Sequence, residues 1–285
     1  MKLSVIRTLY PLSLLICLVI ICCNKTAQEQ NKATSLQDEL IIPPAEVQKI
    51  IQSEFPGALP TIEFGDSLTR YLNKKYNLLP KDILLGISTC VDDIIFSKNF
   101  HHHPEMNGPF HMGGLGGLPF SGVSGLNAYA HHVPDNGAMV LFIGPHIGYS
   151  SEKGWGYMLR PGQTDGSSCC GALVGTLGQL EKGAIKPGVP AEDDYQGGVL
   201  AQMALGHSSE ILSAPNHLIA LTKITGQLAE SQIEKMLDKI SLEHERYIVL
   251  IGLILINTDY NYTDYVWVTH FKVYDVKTKS FLEKR

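Results

Sequence analysis

The chain has 285 residues, of which 44% are hydrophobic and 18% charged, with 27 Gly and 15 Pro. This composition excludes a disordered, collagen-like or coiled-coil chain, and at roughly 150 residues per domain the length allows one or two domains. The formal net charge is −5 and no stretch is strongly basic, so the phosphate-neutralising stripe of a nucleic-acid binder is missing and no nucleic-acid partner is expected.

The first residues, MKLSVIRTLYPLSLLICLVIICCNK, place Lys2 and Arg7 ahead of an apolar run from Leu9 to Cys23. A bilayer-spanning helix takes about 20 apolar residues, so this shorter run predicts a signal peptide over 1–22 and an exported protein. A Cys closing the run points to lipidation of Cys23 and a membrane tether. Plain secretion and a short uncleaved anchor are the alternatives. Residues 23–42 are polar and read as a solvated tether, followed by one domain over 43–285.

Pro43-Pro44 opens a predicted helix carrying Val47, Ile50, Ile51 and Phe55 at helical spacing. A second helix is expected after Asp66, then a buried strand ILLGIST (83–89) ending at Cys90. Residues 101–122 are rich in Gly, His and Pro and read as one long functional loop. A helix over 123–132 follows, with His131 and His132 at its C-terminal end, then a buried strand AMVLFIG (138–144) ending at Pro145-His146. Cys169 to Leu180 reads as a helix with Ser167 or Ser168 as N-cap. Further helices are expected over 194–212 and 230–240. YIVLIGLILIN (247–257) is the most apolar strand, and 264–276 alternates with period two, as a sheet-edge strand does. Strands interleaved with helices predict an α/β architecture.

Of six cysteines, Cys17, Cys22 and Cys23 belong to the N-terminal run. The remaining three, Cys90, Cys169 and Cys170, are odd in number and two are adjacent, a poor disulfide framework for an exported chain. Cys90 and His146 follow apolar strands and Cys169-Cys170 opens a helix. In α/β sheets those positions converge on the ligand crevice. Two thiolates and an imidazole form a zinc donor set with one position left open, and a helix N-terminus favours the thiolate. The same residues also admit blander readings: an inert buried thiol at Cys90, a satisfied core histidine at His146. A cysteine hydrolase with Cys90 as nucleophile and His146 as base is a further reading, and it leaves Cys170 unexplained.

STCVDD (88–93), GGLGGLPFSG (113–122), GPHIG (144–148) and GSSCCGAL (166–173), in this order, resemble the low-CO2-inducible protein family, a group of carbonic anhydrases with a β-class-like fold. The resemblance implies a single β-carbonic-anhydrase-like domain, a central sheet flanked by helices. It implies Zn2+ held by Cys90, His146 and Cys170, with Cys169 the less favoured of the adjacent pair. It further implies Asp92 and His146 as catalytic residues, CO2 and bicarbonate as substrates, attack on CO2 by hydroxide generated at the zinc, and a homodimer. The β-class motif is Cys-x-Asp-x-Arg, its Arg holding the Asp off the metal, and here Ile94 stands at the Arg position. Arg160 is a candidate substitute. Without one, Asp92 is free to close the metal site, which would leave a catalytically silent binding or sensing module. His101, His102, His103 and His111 are candidate proton shuttles, and Phe110, Leu115, Leu118 and Phe120 candidate walls of a dry CO2 pocket.

Overall fold

The computed structural model describes residues 41–93 and 105–285. The expected signal peptide, Cys23, nearly all of the tether, Ile94 and His101 to His103 lie outside the described residues. Among the described residues no helix is long and apolar enough to cross a membrane.

Three strands form the centre of the sheet: β2 (Ile83–Thr89), β4 (Ala138–Gly144) and β9 (Tyr247–Thr258). All three are buried along their whole length, and they pair in parallel, β2 with β4 and β4 with β9. Strands covered on both faces are written as continuous apolar runs, which is how these three stand in the sequence. Alternate side chains serve two cores. Met139, Leu141 and Ile143 of β4 point to one, and Ala138, Val140 and Phe142 to the other. Helices α1 (Ala45–Glu54), α3 (Gly122–Ala130), α4 (Gly171–Glu181), α5 (Tyr195–Gly206) and α7 (His217–Leu237) contribute to the first. Helix α2 (Thr61–Tyr76) covers the second with Phe64, Leu68, Leu72 and Tyr76. The result is the expected α/β arrangement of a central sheet flanked by helices.

The sheet is extended by β3 (Asn107–His111) beside β2, by β10 (Tyr265–Asp275) beside β9, and by β5 (His146–Ser150), which runs parallel to the last residues of β9. Short strands β1 (Leu59–Pro60), β6 (Gly154–Trp155) and β11 (Ser280–Lys284) pair with β10, β5 and β10, and β7 (Tyr157–Met158) with β8 (Ser167–Ser168) forms a separate pair.

Several expectations are corrected. Helix α2 starts at Thr61, five residues before Asp66, because Pro60 presets the entry φ at −53°. The segment read as one loop holds β3 and a 3-10 turn at Leu115–Gly117. Ser167 and Ser168 are a strand rather than an N-cap, and α4 starts at Gly171 with Cys170 in the cap position. The expected helix over 194–212 breaks at His207 into α5 and α6 (Ser208–Ser213). The helix expected over 230–240 is the C-terminal part of the 21-residue α7, which ends at Leu237. Strand β10 is an edge only in its middle: on its outer side β1 pairs with Tyr265 and Val266 and β11 with Lys272 to Asp275.

Acidic Glu283, buried on β11, receives hydrogen bonds from the Tyr71 and Tyr76 hydroxyls and the Lys75 ammonium, at 2.5 to 2.7 Å, and an ion pair from Arg285. Burial opposes the charge, but Lys75 and the two tyrosines outweigh it and hold the carboxyl down at about 2. A depressed native pKa adds stability that is complete above the unfolded value of about 4.3 and is lost as pH falls towards 2. Glu283→Gln should therefore cost on the order of 2 kcal/mol at pH 7 and shrink that part of the acid dependence. Urea titrations at pH 7 and pH 3 check it, and an equal loss at both pH values would contradict it.

Candidate metal centre

Three loops meet where the parallel strands end. Cys90 directly follows β2, His146 opens β5, and Cys170 caps α4. The GPH sequence has a structural reason. The chain leaves β4 at Gly144, turns through Pro145 and rejoins β9 as β5, with Leu255 N–H donating to Pro145 O at 3.1 Å. Gly144 has φ +149°, and a Cβ there would lie 1.8 Å from Leu253 O, so only glycine lets the strand pass this closely. The Gly-rich segment packs on the same corner. Gly117, at φ +75°, brings its Cα so near Gly144 that a Cβ would meet Gly144 O at 2.2 Å. The two motifs singled out in the sequence thus press His146 against the end of the sheet.

Cys90, His146 and Cys170 are all buried, and their ligand atoms lie within 4.8 Å of one another. The Sγ atoms of Cys90 and Cys170 are 3.5 Å apart. Two zinc–sulfur bonds of about 2.3 Å at a tetrahedral angle span about 3.8 Å, so the pair is close to that separation. Gly116 N–H donates to Cys90 Sγ at 3.1 Å. The hydrogen bond with Cys170 leads in lowering the Cys90 thiol, against burial and with help from His146. The same hydrogen bond, together with burial, pushes Cys170 well up. Burial opposes a charge on His146, yet Cys169, Cys170 and Cys90 around the ring outweigh it and raise its pKa.

The imidazole is held from one side only. His146 Nδ1 is 2.7 Å from Asn257 Oδ1, whereas Nε2 is buried with no hydrogen-bond partner among the described residues. A buried ring nitrogen without a hydrogen-bond partner is costly, and here it lies in one cluster with two sulfurs. That donor set fits a borderline-soft divalent cation.

Asp92 Oδ2 accepts a hydrogen bond from Gly171 N–H at 2.5 Å, at the start of α4, and lies 3.9 Å from His146 Nε2. Arg160 does not take the role considered for it. Its guanidinium donates to Ser167 Oγ and to Ser168 O at 3.0 Å. A backbone amide at a helix N-terminus, where negative charge is favoured, holds Asp92 instead. Cys169 Sγ lies on the far side of the ring, 3.5 Å from His146 Nδ1 and 3.4 Å from Asn257 Oδ1, and burial pushes its thiol up. Of the adjacent pair, Cys170 joins the trio.

A cavity of about 250 Å³ at Cys90 is lined by Thr89, Asp93 and His111 among others. None of the four expected pocket residues lines it. Phe110 packs on Tyr129 and His132, Phe120 on Tyr195, and Leu115 and Leu118 against the core. Asn257 was not singled out from the sequence. Its signal was there, a polar amide near the end of the most apolar strand of the chain. The Gly171 amide has no such signal, because a backbone N–H carries no residue type.

Comparison with known proteins gives one family. A family profile described as limiting CO2-inducible proteins B/C beta carbonic anhydrases matches residues 60–275. The crystal structure of PtLCIB4, a homologue of the limiting CO2-inducible protein LCIB, superposes with a TM-score of 0.71 at 26% identity, covering 83% of this chain and 98% of that one. The structure of the limiting CO2-inducible protein LCIB itself matches in fold, with a TM-score of 0.60 at 20% identity over 81% of this chain and 96% of that one. No curated protein matches the chain.

Proposed function

We propose a zinc-dependent carbonic anhydrase: the chain belongs to the limiting CO2-inducible protein B/C family of β-carbonic anhydrases, and its buried residues supply the donors such an enzyme needs. The observation that carries the reading is the cluster of Cys90, His146 and Cys170, in which the buried imidazole Nε2 has no hydrogen-bond partner among the described residues. Cys90 and Cys170 would hold the ion as thiolates and His146 through Nε2. Zinc bound there supplies acidity, making hydroxide available from water near neutral pH. Two negative sulfurs temper that acidity relative to three histidines.

The remaining work falls to the chain's own groups. Asp92, its Oδ2 fixed by Gly171 N–H, is placed near the nitrogen that faces the ion. There it would accept a hydrogen bond from the attacking solvent and orient it towards CO2. His111, on the cavity shared with Cys90 and Asp93, is the shuttle candidate among the described residues. An imidazole there can relay a proton outwards.

A second reading is favoured by the 3.9 Å separation of Asp92 Oδ2 from His146 Nε2. In it Asp92 fills the fourth position and the protein binds or senses without turnover. Stopped-flow CO2 hydration by the zinc-loaded protein across pH 7–9 separates the two. The carbonic anhydrase reading expects turnover that rises with pH. Full zinc occupancy without turnover anywhere in the range would favour the closed site.

We place the protein outside the cytoplasm, tethered through a lipidated Cys23 or secreted, on the strength of its N-terminal sequence. We also propose a homodimer. Helices α4 and α5 are rich in apolar residues, and Val174, Leu177, Val199 and Met203 are only partly buried, as expected of helices whose second apolar face awaits a partner.

A further inference from the structure

We infer that Asn257 is the positioning residue of the metal centre: it fixes the tautomer and the orientation of His146 so that Nε2 faces the ion. The inference rests on the proposed metal site and adds a residue outside the three ligands.

Asn257 is the penultimate residue of β9 and is buried, paired in register with Gly148 of β5, two residues from His146. Its amide can sit either way round, and the surroundings decide which. The Nδ2 group donates to Asp264 Oδ2 at 3.2 Å and to Asp93 Oδ1 at 3.4 Å. Two carboxylates on that side demand the NH2. The carbonyl Oδ1 therefore faces the ring, 2.7 Å from His146 Nδ1, and also accepts from Cys169 Sγ at 3.4 Å. An oxygen acceptor at Nδ1 requires the hydrogen on Nδ1, and that leaves the lone pair on Nε2.

Asp264 is itself clamped, its Oδ1 accepting from Thr258 N–H at 2.8 Å. The chain of contacts thus runs from the backbone of β9 through Asp264 and Asn257 to the imidazole. An outer hydrogen bond of this kind raises a ligand's basicity and holds its ring, and its loss typically weakens metal binding by about 10–100-fold.

The test compares the wild-type chain with Asn257→Ala, loaded with zinc. Zinc affinity is measured by chelator competition, and the imidazole N–H proton of His146 by NMR at saturating zinc. The wild type is expected to show one downfield, slowly exchanging imidazole N–H. In Asn257→Ala that signal should be lost to exchange while far-UV circular dichroism is unchanged, and zinc should bind about 10–100-fold more weakly. If Asn257→Ala does not fold, Asn257→Leu removes the same acceptor while filling the volume. Affinity within twofold of wild type together with a retained N–H signal would overturn the inference. Failure of both variants to fold would overturn it too, because the side chain's work would then be structural. A wild type that binds no zinc would instead defeat the metal reading itself.

Discussion

Cys90→Ser is expected to abolish both zinc binding and CO2 hydration in a chain that remains folded. Serine has nearly the volume of cysteine, so the buried site at the end of β2 is not emptied. Its hydroxyl, however, does not ionise in the accessible pH range, and the thiolate is the ligand. Removing it leaves Cys170 and His146, two donors where a catalytic zinc uses three. Metal content should fall from one zinc per chain to none and hydration to the uncatalysed background. A ligand that binds only the native state stabilises it, so a chelator should lower the Tm of the wild type and leave that of Cys90→Ser unchanged. Full hydration activity in the serine variant would exclude this site.

Asp92→Asn should keep the zinc and lose the reaction. The amide carbonyl can still accept from Gly171 N–H, so the local backbone stays as it is. What disappears is a charged acceptor for the solvent proton near His146 Nε2. General-base and orienting contributions of one positioned group are worth about 10²–10⁴-fold, and a fall in kcat of about 10²-fold at unchanged zinc stoichiometry is expected. The opposite result has an equally clear meaning. If Asp92 occupies the fourth position, its replacement opens the site, and Asp92→Asn would turn over CO2 where the wild type does not.

The parts of the fold that were legible share a physical reason. Strands β2 and β4 run over the same residues as the apolar segments ILLGIST and AMVLFIG. A strand covered on both faces has no polar alternation to blur its ends. Helix α7 was legible only in its last turns. Its first half, HLIALTKITGQLA, buries Thr222, Ile224 and Thr225, β-branched residues that weaken a helical reading and are overridden by packing on the sheet. The Ser167-Ser168 cap failed because both residues already pair with Tyr157 and Met158. Local cap chemistry cannot report a partner ten residues upstream.

The site divides in the same way. Cys90, His146 and Cys170 could be picked out because thiols and an imidazole at strand and helix ends are chemically conspicuous. The preference for Cys170 over Cys169 comes from the family resemblance, and the turn before α4 supplies its geometry, pointing one sulfur at Cys90 and the other behind the His146 ring. The hold on Asp92 was illegible, since it comes from a backbone amide. Arg160, a charged residue of the right kind, is engaged elsewhere.

X-ray absorption at the zinc edge of the loaded protein tests the metal site most directly. It should show two sulfur scatterers at about 2.3 Å and one imidazole nitrogen at about 2.0–2.1 Å. A shell containing only oxygen and nitrogen would contradict the account.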